Sequence, residues 1–274
     1  QDAFEHNPIR VSAADYRAWF ATLPAELAGA VVALSLAGAS AANAQATRTW
    51  ISGVGDDANP CSRTAPCETF AGAISKTAAG GEINILDPGN FGALTITKSI
   101  TIGTDPERGA TQVLAGTGII VNAAITDTVT LRGLVLSAPT VNANVGVNGV
   151  RIIQAGTVNI ENSYIYGNRA ASPNGNGIVL VNASDTVLLN VLNTVVSDNG
   201  NATSGGGILV APTGSGSAVV SLTGVSAISN SRGVRLDASG TSGTIKGTLN
   251  NSTVANNSLA GIAVVSTGSQ AVLA

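Results

Sequence analysis

A glycine followed by alternating apolar residues occurs six times after Gly116. It occurs at Gly118, Gly149, Gly177, Gly207, Gly233 and Gly261, in steps of 31, 28, 30, 26 and 28 residues. A second set of positions keeps the same beat, in pairs six apart: Asn162/Asn168, Asn193/Asn199, Gly224/Asn230, Asn251/Asn257 and, more loosely, Gly133/Pro139. Three residues after each first member stands Leu136, Ile165, Val196, Ala227 or Val254, and two before it Leu131, Ile160, Val191, Leu222 or Leu249. A fixed period of this length marks stacked structural units, each of which covers the apolar face of its neighbours.

Each unit holds three short runs of period-2 alternation separated by Gly, Asn and Ser turns. No two-residue hairpin turn with a matching return strand follows any run, and no helical pattern separates the runs. Units of about 28 residues with three strands each match the coils of a parallel β-helix, an all-β solenoid. The in-pointing Val, Ile and Leu then stack on their counterparts at the strand spacing of any sheet. Asn162, Asn193 and Asn251 share one turn. The expectation there is a ladder of amides hydrogen-bonded along the axis.

Before the repeat, Thr69 to Ala78 places Phe70, Ala73, Ile74 and Thr77 on one face at helical spacing. Gly80-Gly81 reads as its stop. A short amphipathic helix before strands is expected to cover the open apolar end of the first coil. The strands of that coil read as "EINILD" (Glu82 to Asp87), "ALTI" (Ala93 to Ile96) and "SITI" (Ser99 to Ile102). The cap is placed at 67–80 and the coils from 81. The last coil opens at Gly261 and is incomplete at Ala274, leaving an edge that invites pairing with another chain.

The stretch "TFAGAISKTAAGGEINILDPGNFGALTITKSITI" resembles the cap and first coil of right-handed parallel β-helix proteins of the pectin-lyase-like superfamily. The lead-in "GDDANPCSRTAPCETF" is similar to that of secreted bacterial β-helix proteins without assigned activity. The resemblance runs from about Thr49 onward. With the right-handed crossover rule it implies a right-handed coil, and it carries fold much further than chemistry.

Residues 1–46 differ from the rest. Leu27 to Ala39 is apolar, of signal-peptide length and short for a membrane span, and Ala44-Gln45-Ala46 supplies small residues at cleavage-site spacing. Export, to the medium or the cell surface, is therefore expected, with a β-helix domain over 47–274. Cys61 and Cys67, six apart in a Pro-containing loop, are then expected to form a disulfide. His6 is the only histidine and lies upstream of that junction, which argues against zinc and against a histidine triad in the domain. The formal charge of -3 gives no electrostatic reason to expect nucleic acid.

The resemblance implies two catalytic options. Lyases of the superfamily use calcium held by several carboxylates with an Arg or Lys base, and hydrolases use close Asp pairs. Here Asp127, Glu161, Asp185, Asp198 and Asp237 occupy scattered registers. No calcium cage of six or more oxygens is expected from them, and calcium belongs only to the lyase alternative. The best constellation lies on one outward face. There Arg132 and Glu161 share a register in adjacent coils beside Asn159 and Asn190. Tyr166, next to Tyr164, offers a ring for a sugar to stack on. The preferred expectation is an exported non-catalytic protein for adhesion, scaffolding or glycan binding, touching its glycan through Arg132, Asn159, Glu161, Asn190 and Tyr166. The alternative is a polysaccharide lyase or glycoside hydrolase.

Overall fold

The computed structural model describes residues 45–104, 110–113, 116–138, 146–266 and 270–274. Residues 1–44 of the expected export segment 1–46, and Pro139 of the repeat, lie outside them, and Ala46 at the end of that segment opens the first strand. The chain is an all-β parallel solenoid of about seven turns, with about 29 residues per turn. Its strands form a nine-stranded, a seven-stranded and a six-stranded sheet. Within each sheet every pairing is parallel, and most neighbouring strands lie one turn apart in sequence.

The repeat rows become the core. In the seven-stranded sheet Ile119, Val150, Ile178, Ile208 and Val234 stand in register. In the nine-stranded sheet Leu131, Ile160, Val191 and Leu222 do so, and in the six-stranded sheet Leu136, Ile165, Val196 and Ala227. All are buried. A large buried aliphatic chain contributes about 1.5–3 kcal/mol relative to exposure. The stack is therefore held by many equivalent layers instead of one central cluster.

The paired positions divide the work differently from the expected amide ladder at Asn162, Asn193 and Asn251. These residues have left-handed backbone, with φ of 47°, 47° and 50°, and Gly133 and Gly224 take the same place with φ of 63° and 65°. Gly and Asn alternate there because both tolerate that conformation. The ladder forms at the second members. Asn168 Nδ2 donates to Asn199 Oδ1 at 2.9 Å, and Asn199 Nδ2 donates to Asn230 Oδ1 at 3.1 Å. The backbone N–H of Asn230 donates to Asn257 Oδ1 at 3.0 Å. Asn168, Asn199 and Asn230 are buried, where an amide without partners is costly. The column has a direction, since each oxygen faces the preceding turn. Asn168 Oδ1, at its start, is buried with no hydrogen-bond partner among the described residues.

The beginning of the solenoid also departs from expectation. A strand over Ala46–Ile51 pairs with Thr77–Ile85 and is the outermost strand of the nine-stranded sheet. Helix α1 (Phe70–Lys76) is shorter than expected. Its first turn is fixed by Thr69, whose hydroxyl accepts from Gly72 N, and by Asp57, which accepts from the backbone N–H groups of Glu68 and Thr69. Phe70 and Ala73 are buried, and Phe70 meets Phe91 edge to face at 5.6 Å between centroids. The helix stops at Thr77, not at Gly80-Gly81. Thr77 is fully buried and extended, and its hydroxyl donates to Ala73 O. Gly80-Gly81 instead form a bulge inside the strand. Gly80 has φ of 74°, and a Cβ on Gly81 would lie 2.8 Å from Thr47 O.

The first turn is short. Glu82 pairs with Thr101, only nineteen residues on, whereas Thr101 pairs with Thr130, twenty-nine on. Glu82 to Ile85 and Leu94–Ile96 thus belong to one turn, and Ile100–Gly103 opens the next instead of completing the first. At the other end, Ile262 and Val264 continue core rows but are 47% and 45% exposed. Gln270–Leu273 adds a four-residue strand to the nine-stranded sheet. Cys61 and Cys67 form the expected disulfide, with Cα atoms 4.7 Å apart.

Candidate functional site

Period-2 alternation sends every second residue of the nine-stranded sheet outward. Following the register across the sheet gives one row: Arg48, Glu82, Thr101, Thr130, Asn159, Asn190, Ser221 and Thr248. Eight polar residues on eight adjacent strands span roughly 34 Å at ordinary strand spacing. Asn159 Nδ2 donates to Thr130 Oγ1 at 3.2 Å and Asn190 Nδ2 donates to Asn159 Oδ1 at 2.9 Å. The expected Asn159/Asn190 pair is therefore the centre of a longer ladder. Leu188 and Val219 on one side of the row and Leu192 on the other are 43%, 44% and 39% exposed, so apolar surface flanks the polar track.

Arg132 and Glu161 do share a register, as expected, but they form no ion pair. Arg132 reaches the other way and binds Glu82 at 2.5 Å. The cause is the strand between them. The register partner of Arg132 there is Gly103, and a Cβ at Gly103 would stand 2.4 Å from Arg132 Cγ. The missing side chain is the channel through which Arg132 lies. Glu82 also accepts from Arg48 at 3.0 Å, so one carboxylate serves two guanidinium groups. Arg48 and Arg132 are substantially exposed, and such pairs contribute only about 0–1 kcal/mol each. Glu161 has no ion-pair partner among the described residues. Around these groups lies an open, polar cleft of about 440 Å³, walled by Asn84, Thr104, Arg132, Glu161 and Asn162.

Tyr166 lies elsewhere. The left-handed turn at Asn162 carries the chain onto the six-stranded sheet, where Tyr164 and Tyr166 project side by side with rings stacked at 4.6 Å. The Tyr164 hydroxyl accepts from Ser197 Oγ at 3.1 Å. Arg132, Asn159, Glu161 and Asn190 thus share one face, and Tyr166 faces away from it across a corner.

The four aspartates are individually engaged. Asp127 accepts from Ser99 Oγ at 2.6 Å and from Ala124 N at 2.9 Å. The Ser99 hydroxyl, with help from the Ala124 amide, holds its carboxyl below the usual range against the effect of burial. Asp185 accepts from Ser184 Oγ, Asp198 pairs with Arg169, and Asp237 pairs with Arg235. Glu82 and Glu161 line the same cleft, three strands apart. Their strands are roughly 14 Å apart along the sheet, and the Glu82 carboxylate is held by Arg48 and Arg132. Among the described residues no group of three or more His, Cys, Asp or Glu is placed to hold a metal ion.

Arg48 and Glu82 were not legible as site residues. The alternation of "TRTWI", with Thr49 and Ile51 buried, is the signal that would have added the outermost strand and its Arg48 to the row. The chain matches no protein-family model, no curated protein and no solved structure.

Proposed function

We propose that this is an exported, non-catalytic β-helix protein that binds a linear glycan along its nine-stranded sheet, in adhesion or scaffolding at a cell surface. The observation that carries the reading is the unbroken polar row from Arg48 to Thr248. A polymer of sugars presents hydroxyl groups at regular intervals, and a track of amides and hydroxyls offers both donors and acceptors to them. Arg132, Asn159, Glu161 and Asn190 form the contact centre. Tyr166 joins it through a polymer that turns the corner at Asn162. The engagement of all four aspartates favours binding over hydrolysis or lyase chemistry, and the disulfide suits an oxidising compartment.

The same proposal includes a right-handed coil of the pectin-lyase-like kind and a capping role for α1, which packs on the two outermost strands. It also includes self-association of two copies through the last turn, supported by the exposure of Ile262 and Val264 beside unpaired strand edges.

The test is a co-sedimentation of the protein with acidic and neutral polysaccharides, alongside assays for reducing ends and unsaturated products, with and without calcium. The expected result is binding without cleavage, weakened about tenfold in Asn159→Ala/Asn190→Ala through the loss of two hydrogen-bonding side chains. New chain ends that disappear in Arg132→Ala or with chelator make the protein a lyase and overturn the reading.

A further inference from the structure

The outer face of the seven-stranded sheet carries a second cleft, built from parts that the glycan reading does not use. Two loops, 169–175 and 200–205, rise above this face. Asn201 fixes them to each other. Its Oδ1 accepts from the backbone N–H groups of Thr203 and Ser204 at 2.9 Å each, and its Nδ2 donates to Ala170 O at 3.2 Å. The walls of the cleft are therefore held in place before any ligand arrives, which spares the ordering cost of binding.

Pro173 and Ser204 line the loop side, Leu209 lies on the outer surface of the sheet, and Arg232, Arg235 and Asp237 complete the lining. Arg235 donates to Asp237 Oδ2 at 2.5 Å, while its Nε is buried with no hydrogen-bond partner among the described residues. Asp237 also accepts from the hydroxyl and N–H of Ser239. Burial works against its charge, but the Ser239 and Arg235 contacts outweigh it and hold the carboxyl below the usual range. Arg232 makes a single long contact, Nη1 to Gly205 O at 3.4 Å, and has no carboxylate partner among the described residues. Two guanidinium groups against one carboxylate leave a surplus of one positive charge.

We propose that this cleft binds a small hydroxylated monocarboxylate, with its carboxylate between Arg232 and Arg235 and its hydroxyls against Ser204 and the loop backbone. Three observations select that class. The cleft has a volume of about 230 Å³, below the range of about 300–1,000 Å³ that drug-sized ligands occupy. The guanidinium fork matches a planar carboxylate. The surplus of one charge suits a monoanion better than a phosphate group, which carries about -1.5 to -2 at neutral pH. The site lies on a different sheet from the polar row and stands whether or not that row binds a polymer.

The test is titration calorimetry of the full chain with glucuronate, with glucose as the neutral counterpart and inorganic phosphate as the more highly charged one. Glucuronate is expected to bind at least tenfold more tightly than either. Arg232→Gln should weaken it about tenfold or more, the loss of one charge-assisted contact. Arg232 has no ion-pair partner among the described residues, so this variant strands no described carboxylate. Leu209→Trp, which fills the cleft without altering a charge, should give the same loss, and keeps the proposal testable if Arg232→Gln fails to fold. Arg63→Gln, at an exposed arginine of the disulfide loop, should leave binding unchanged. Absence of glucuronate binding, equal binding of glucose, tighter binding of phosphate, or equal losses in Arg232→Gln and Arg63→Gln would each overturn it.

Discussion

Asn199→Ala is expected to be among the most damaging single polar substitutions in this solenoid. The Asn199 side chain is buried and satisfies both neighbouring turns. Its Oδ1 accepts from the backbone N–H of Asn168 at 3.1 Å and from Asn168 Nδ2 at 2.9 Å. Its Nδ2 reaches Asn230 Oδ1, Ile165 O and Ser197 O. Alanine leaves both Asn168 donors without their acceptor. At about 1–3 kcal/mol for each orphaned group, the cost is about 2–6 kcal/mol. That is a large share of the total stability of about 5–15 kcal/mol usual for a domain. Asn190→Ala is the control. It removes a hydrogen bond of similar length, 2.9 Å to Asn159, on an exposed face where water replaces the partner, and should cost less than about 1 kcal/mol. Guanidinium unfolding followed by circular dichroism compares the two midpoints, with the slopes checked for a common transition. Coincident midpoints for Asn199→Ala and Asn190→Ala would refute the claim that the column supports the stack.

Three further outcomes are expected. Gly103→Val should drive Arg132 off Glu82 and toward Glu161 while stability stays within about 1 kcal/mol; a crystal structure with Arg132 still on Glu82 refutes the role given to the gap. Cys61→Ala/Cys67→Ala should lose about 2 kcal/mol, the loop-closure value for so short a ring, and a denaturation midpoint equal to that of the parent speaks against it. The depressed Asp127 carboxyl stabilises the fold above the ordinary carboxylate range, and that contribution disappears as the pH falls through its lowered folded value. Stability measured from pH 7 down to pH 2 should therefore fall less steeply in Asp127→Asn than in the parent, and parallel curves would count against the Ser99 contact.

The core and the register were legible because one repeat row fixes all others. Once Leu131, Ile160, Val191 and Leu222 are aligned, the outward Arg132, Asn159 and Asn190 follow by alternation. The turn chemistry was misassigned although its signal was present. Gly133 and Gly224 cannot supply an amide, so the position they share with Asn162 had to be conformational. The all-Asn run at 168, 199, 230 and 257 was the real ladder. The shared register of Arg132 and Glu161 was legible, but the turn of Arg132 toward Glu82 was not, since a residue's reach depends on what the next strand lacks, and Gly103 follows a strand read as closing the first coil. The loop-walled cleft had no repeat to announce it. Arg232, Arg235 and Ser204 come together only because Asn201 ties two irregular loops over a regular sheet.

The directional asparagine column also sets how the molecule can change length. A duplicated whole turn would slot its own asparagine between Asn168 and Asn199 and leave both ends of the column chemically unchanged. An insertion of part of a turn would interrupt the column, and an odd-numbered shift would turn the apolar rows outward as well. Growth and shrinkage are therefore quantised at one strand spacing, roughly 4.8 Å. Variation finer than that is confined to the loops, where the smaller cleft is found.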